Sequence, residues 1–177
     1  MKPVKNNMKI LQSCSDVVYV QPKFLTKKEC NYYLKKAISP TSMERQSYAE
    51  DRNINGSFWH KRRVDITFDP IVRRVKKFLD KQFNLDLKIE DAQIQNWIQN
   101  SYSELHIHNE RGRENTLFNS SIYLNDDFSG GKFFTKNGIK IKPTVGLLIF
   151  FNGRTIFHGV SEVKKKDRFS LIFWWKD

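Results

Sequence analysis

The second half of the chain is a series of short segments in which apolar and polar residues alternate, and this pattern constrains the fold more than any other feature. About eight such segments follow residue 85 at intervals of about ten residues, and turn signals such as Gly130-Gly131 and Asn137-Gly138 separate them. Short strands with this spacing are typical of a sandwich or jelly roll. The predicted strands are 85–89, 94–98, 105–107, 117–124, 133–134, 139–141, 147–151, 155–160 and 169–175.

The first half of the chain predicts two helices. Thr26 and Glu29 have the spacing of a capping box, which indicates a helix that ends before Pro40. Asp69 and Pro70 indicate the start of a second helix, because Asp caps helices well and Pro is favoured at their first position. The apolar residues that follow share one helical face, so this helix should pack against a sheet.

Other N-terminal segments give weaker signals. We expect residues 1–15 to be a loose arm, 17–20 to be a strand, and 63–68 to be a strand with Val64, Ile66 and Phe68 on one face. Residues 39–60 are polar and predict a long surface loop, which is a candidate substrate lid. The predicted class is mostly β with flanking helices (α+β). The 177 residues should form one domain, with an N-terminal helical support (1–84) and a jelly-roll core (85–177).

Composition excludes some classes of protein. Cys14 and Cys30 form no CxxC pattern, which argues against a thiolate zinc site and against a disulfide framework. We find no apolar leader and no apolar segment long enough to span a membrane, so we expect a cytoplasmic protein, and we expect it to be a monomer. The net charge of +12 would suit nucleic acid, although lysines scattered over the whole chain also explain it.

Three of the four histidines lie in two places and suggest one metal site. His106, His108 and Glu110 alternate along a predicted strand and therefore share a face, and His158 lies in an otherwise apolar strand. We predict that His108, Glu110 and His158 are the ligands, a two-histidine, one-carboxylate set typical of non-haem iron. A shift of two residues, with His106 and His108 as the proximal ligands, stays open.

Arg168 and Ser170 alternate inward on the next strand, while Phe169 and Leu171 point to the opposite layer. An inward-facing guanidinium requires an anionic partner, and it binds a carboxylate through two parallel hydrogen bonds. A dicarboxylate co-substrate would supply that partner.

At this point the sequence resembles a known family, the iron(II)- and 2-oxoglutarate-dependent dioxygenases, and in particular the prolyl 4-hydroxylase-like group. The resemblance is carried by HNE at 108–110, SIYLNDDFSGGKF at 121–133, KPTVGLLIFF at 142–151, and HGV at 158–160 followed by RFS at 168–170. The opening FLTKKEC at 24–30 is also similar to that group. The resemblance to the family covers residues 92–176 and, more loosely, 18–91.

The resemblance implies a double-stranded β-helix with His108, Glu110 and His158 as catalytic ligands of Fe(II). It implies that Arg168, with Tyr123 and Ser170, binds the distal carboxylate of 2-oxoglutarate, and that ascorbate serves as reductant. The implied reaction is hydroxylation of a C–H bond with release of succinate and carbon dioxide. Its implied partners are 2-oxoglutarate, dioxygen and a peptide or protein with a prolyl residue.

Alternative functions remain open at this stage. The substrate could be a free amino acid or a nucleic acid, or the fold could be a cupin-like jelly roll with different chemistry. A protein without catalytic activity could instead bind single-stranded nucleic acid by stacking on exposed aromatic residues such as Trp59, Trp97 and Trp175.

Overall fold

The structure is a computed structural model that describes residues 7–38, 45–49, 61–108 and 115–177, and for residues 45–49 and 61–62 it describes the backbone only. The helices are α1 (Lys27–Ile38) and α2 (Pro70–Phe83). The strands are β1 (Lys9–Ser13), β2 (Asp16–Gln21), β3 (Arg45–Ala49), β4 (Lys61–Asp65), β5 (Lys88–Trp97), β6 (Ser103–His106), β7 (Phe118–Tyr123), β8 (Ser129–Gly130), β9 (Phe133–Thr135), β10 (Lys140–Ile141), β11 (Leu148–Asn152), β12 (His158–Val160), β13 (Val163–Lys164) and β14 (Arg168–Lys176).

The strands form an antiparallel sandwich. An eight-stranded sheet has the order β1-β2-β11-β7-β14-β5-β4-β3, a four-stranded sheet has the order β10-β9-β12-β6, and β8 pairs with β13. Apolar residues of β2 and β11 pack between the two larger sheets against residues of β9 and β10, among them Val18, Ile149, Phe133 and Ile141. The predicted class, mostly β with flanking helices and a jelly-roll core, is confirmed.

The two helices cover the outer face of the eight-stranded sheet. Apolar residues of α2 such as Val75 and Leu79 join those of the central strands, for example Ile122, Leu171 and Phe173, in one buried core. Alternation along β14 explains this arrangement, because Leu171 and Phe173 point to the helices while their neighbours point into the sandwich. Among the described helices, none is both long enough and apolar enough to cross a membrane.

Local sequence signals determine where each helix begins. The backbone N–H of Thr26 donates to Glu29 Oε2 at 2.8 Å, and the N–H of Glu29 donates to Thr26 Oγ1 at 3.2 Å. This is the reciprocal pattern of a capping box. At α2, Asp69 accepts a hydrogen bond from the N–H of Ile71 at 3.0 Å and another from Tyr33 Oη at 2.8 Å. Asp69 therefore caps α2 and also joins it to α1.

Four local predictions were wrong. Residues 9–13 are not part of a loose arm, because they pair with β2. Residues 45–49 form a strand paired with β4, so 39–60 is not one continuous loop, and the remainder of that candidate lid lies outside the described residues. Phe68 is 93% exposed because β4 ends at Asp65. Residues 85–89 and 94–98 are not two strands, since 88–97 is the single strand β5.

Candidate active site

A cavity of about 260 Å³ lies between the two larger sheets and collects most of the predicted site residues. The eight-stranded sheet contributes Tyr123 and Arg168, and the four-stranded sheet contributes His106 and His158. Arg168 and Trp174 both line the cavity from β14. Arg168, at the start of the strand, marks one end of the cavity, and Trp174, which contacts His108 near the end of the strand, marks the other. We call these the arginine end and the histidine end.

Three imidazoles converge at the histidine end. His106 lies opposite His158 in the pairing of β6 with β12, and His108 follows two residues later. Their potential ligand nitrogens all lie within 4.8 Å of one another, and Nε2 of His108 is 3.2 Å from Nε2 of His158. This spacing suits a metal ion bound by imidazole nitrogens. Glu110, the predicted carboxylate ligand, lies outside the described residues.

In two of the three imidazoles, those of His158 and His106, Nδ1 lies against a backbone carbonyl. His158 Nδ1 lies 2.8 Å from the carbonyl oxygen of Ile156, and His106 Nδ1 lies 3.0 Å from that of Glu104. Because a carbonyl can only accept, each of these nitrogens carries the proton and each Nε2 keeps its lone pair. Histidines that bind metals are usually held in this way.

His158 is buried, and burial is the main cause that lowers its pKa to about 3, with the neighbouring His106 acting in the same direction. Its imidazole is therefore neutral at pH 7, which is the form that ligates a metal. The rings of Phe133 and Phe151 lie against it, with centroid distances of 5.7 and 4.6 Å. These contacts fix the plane of the imidazole.

Arg168 forms the opposite end of the cavity and is only 3% exposed. Its guanidinium lies between two aromatic rings, 5.4 Å from the centroid of Trp97 and 5.1 Å from that of Tyr123. Such cation–π contacts partly offset the loss of hydration. Burial lowers the pKa of Arg168 and raises that of Tyr123, and the proximity of the two groups opposes both shifts.

Several polar atoms around Arg168 have no hydrogen-bond partner within the described part of the chain. They are Nε and Nη1 of Arg168, Oη of Tyr123 and Oγ of Ser170. Arg168 and Tyr123 line the cavity, whereas Ser170, two residues further along β14, is fully buried and is not among the lining residues. Buried polar atoms are normally paired, so unpaired donors that surround a buried cation indicate the place of a bound anion. The donors fit a carboxylate, as predicted for the distal end of 2-oxoglutarate.

Sequence reasoning missed three elements of the cavity wall. Asn119 is 2% exposed, and its side-chain amide atoms have no hydrogen-bond partner in the described regions. Trp174 Nε1 donates to His108 Nδ1 at 3.0 Å. Along β5, Trp97 donates to Gln95, which donates to Gln93. The alternation of residues along β5 and β14 was a signal that could have indicated which of their side chains face the cavity.

Residues 92–176 match the family model described as the 2OG-Fe(II) oxygenase superfamily. This chain carries a domain of that superfamily. The predicted family is therefore confirmed, as is the predicted class of enzyme, a dioxygenase that depends on Fe(II) and 2-oxoglutarate. A comparison with curated proteins gave no match.

Solved structures of other oxygenases share the fold of this domain. The viral collagen prolyl hydroxylase of Paramecium bursaria Chlorella virus-1 is 19% identical with a TM-score of 0.68, over 90% of this chain and 95% of the viral one. The Pseudomonas putida prolyl-4-hydroxylase is 16% identical with a TM-score of 0.68, over 90% and 91% of the two chains. A Trichoplax adhaerens prolyl hydroxylase, solved with a peptide fragment, is 16% identical with a TM-score of 0.68, over 90% and 83%.

The structure also bears on the predicted stacking surface for nucleic acid. Trp97 and Trp175 are buried, Trp97 beside Arg168 and Trp175 in the core beneath the helices, so the prediction that they are exposed was wrong. Trp59, the third aromatic residue of that prediction, lies outside the described residues. Neither buried indole offers a face to a base.

Proposed function

We propose that this oxygenase domain hydroxylates an unactivated C–H bond and converts 2-oxoglutarate into succinate and carbon dioxide. The observation that carries the proposal is the pairing of a buried arginine, with unpaired donors around it, and an imidazole cluster in one cavity. 2-Oxoglutarate has a keto-acid end that chelates metals and a carboxylate at the other end. The cavity offers a matching group for each end.

The proposed metal site is built on His108 and His158. The third ligand is either Glu110, the carboxylate predicted from the sequence, or His106, whose nitrogen lies within 4.8 Å of the other two imidazoles. Bound Fe(II) would supply the activation of dioxygen. Three protein ligands leave open positions for the co-substrate and for dioxygen.

Arg168, Tyr123 and Ser170 are proposed to bind the distal carboxylate. Arg168 donates two parallel hydrogen bonds, and the hydroxyls of Tyr123 and Ser170 donate one each. The rings of Trp97 and Tyr123 on either side exclude water, which strengthens each of these hydrogen bonds. The role of these residues is therefore to bind and orient the co-substrate, with its keto acid directed to the histidine end.

A prolyl residue in a peptide or protein is the proposed substrate. This finer proposal is supported by the fold, since the similar structures include prolyl hydroxylases and one of them was solved with a peptide. Ascorbate is proposed as the reductant that keeps iron in the ferrous state.

The test is the formation of succinate from 2-oxoglutarate with ferrous iron and ascorbate, measured without substrate and with proline peptides, free amino acids and oligonucleotides. We expect slow turnover without substrate and stimulation by proline peptides. The matched control is Arg168→Met, which should abolish turnover while leaving the fold intact. Absence of succinate under every condition, from protein that binds iron, would reject the proposed reaction.

A further inference from the structure

We infer that the metal ion of this domain is bound by three neutral imidazoles, those of His106, His108 and His158, and that its binding does not need the carboxylate of Glu110. The inference rests on the proposed function, because it takes the imidazole cluster as the iron site. It differs from the ligand set predicted from the sequence, and it changes the charge of the centre.

The backbone places the three rings on one side of the cavity. His106 and His158 are direct partners in the pairing of β6 with β12, and their ring centroids are 4.5 Å apart. His108 follows β6, and its backbone N–H donates to the carbonyl of Gly153 at 2.8 Å. Its ring centroid is then 4.9 Å from that of His158 and 5.3 Å from that of His106.

The hydrogen bonds of His106 are those expected of a metal-binding imidazole. Its Nδ1 lies 3.0 Å from the carbonyl of Glu104 and 3.1 Å from Oγ of Ser103. The proton is therefore on Nδ1 and the lone pair is on Nε2, which is the same arrangement as in His158. A hydrogen bond that fixes the tautomer is the usual support of a metal-binding imidazole.

Trp174 positions the ring of His108. The indole Nε1 lies 3.0 Å from Nδ1 of His108, and the indole and imidazole rings are stacked with their centroids 6.3 Å apart. With the ring in this orientation, Nε2 of His108 lies 3.2 Å from Nε2 of His158.

A centre of three imidazoles leaves the full +2 charge on the ion. Within the described ranges no carboxylate lines the cavity, and Arg168 adds a further positive charge. Against the charges of the described residues, the dianion 2-oxoglutarate then supplies the compensating charge, so metal and 2-oxoglutarate should each strengthen the binding of the other by the same factor. A carboxylate ligand would reduce this coupling.

Titration with Co(II) tests the ligand set without catalysis, because tetrahedral and five-coordinate Co(II) absorb visible light. We expect His106→Gln, His108→Gln and His158→Gln each to weaken Co(II) binding at least about tenfold. Glu110→Gln should bind Co(II) with an affinity within about twofold of that of the unaltered protein. Calorimetry in the presence of 2-oxoglutarate measures the coupling.

A second measurement on the unaltered protein avoids any variant that fails to fold. Proton NMR of the Co(II) protein shows shifted, exchangeable N–H signals from each coordinated imidazole, and we expect three. Two such signals, or loss of Co(II) from Glu110→Gln while His106→Gln retains it, would overturn the inference. Three signals from a protein that forms no succinate would support this inference and reject the proposed reaction instead.

Discussion

Replacement of Arg168 by methionine should separate binding of 2-oxoglutarate from stability. Methionine fills a similar volume but carries neither the charge nor the donors. Hydrogen bonds to charged groups contribute about 1.5–3 kcal/mol each, so loss of a bidentate pair removes about 3–6 kcal/mol. At about 1.4 kcal/mol per factor of ten, the affinity for 2-oxoglutarate should fall by about 10² to 10⁴.

The same change should not destabilise the protein without ligand. Arg168 is 3% exposed, and its Nε and Nη1 have no hydrogen-bond partner in the described regions, so the guanidinium is buried without full compensation. Replacement of buried charges by apolar side chains is often neutral or stabilising, by up to about 4 kcal/mol. We therefore expect Arg168→Met to melt at the same temperature as the unaltered protein or above it.

Thermal unfolding with and without 2-oxoglutarate, in the presence of Mn(II), measures both effects. At 100 times its dissociation constant, 2-oxoglutarate should stabilise the unaltered protein by about 2.7 kcal/mol. That corresponds to a rise of about 5–11 °C for a chain of this size. Arg168→Met should shift by about 1 °C or less, and Arg74→Met, on the outer helix α2, should shift like the unaltered protein. An equal shift in Arg168→Met would refute the assignment.

Three further predictions concern the cavity wall and the helices. Burial lowers the pKa of His158 to about 3, so as the pH falls below about 6.5 the unfolded chain takes up a proton that the folded protein does not. The free energy of unfolding of the protein without metal should therefore decrease by about 2 kcal/mol by pH 5. Urea unfolding at each pH measures this decrease, and His158→Gln is the control that should lack it. Gly153→Ala should destabilise by about 1–3 kcal/mol, because its Cβ would lie 1.9 Å from Oδ1 of Asn119, and Asn119→Ala in the same chain should relieve most of the loss seen in calorimetry. Asp69→Ala should lower the unfolding free energy by about 1–2 kcal/mol through loss of the helix cap, whereas Asp69→Asn should keep most of it, as urea titration would show.

Signals that act within a few residues of the chain were read correctly from the sequence. The capping box at Thr26 and the Asp69-Pro70 pair act over three or four residues, and both helices begin where these pairs predict. The inward direction of Arg168 and Ser170 followed from alternation along one strand. These features depend on backbone geometry that the sequence carries locally.

Features that depend on distant partners were not predictable from the residues. Alternation gives a strand two faces but does not say what covers them, so the prediction that Trp97 and Trp175 are exposed failed. The position of Asn119 depends on the close approach of Gly153 from a separate segment. The contact between His108 and Trp174 likewise joins residues that are 66 positions apart, and no local pattern indicates it.

The contact between His108 and His158 has a consequence for the unfolded chain. The two residues are 50 positions apart, so unfolding separates them and destroys any site that they share. An ion bound by both would be released as the chain unfolds, and its binding free energy would therefore add to the free energy of folding. The share of the protein that is folded would then rise with the concentration of free metal.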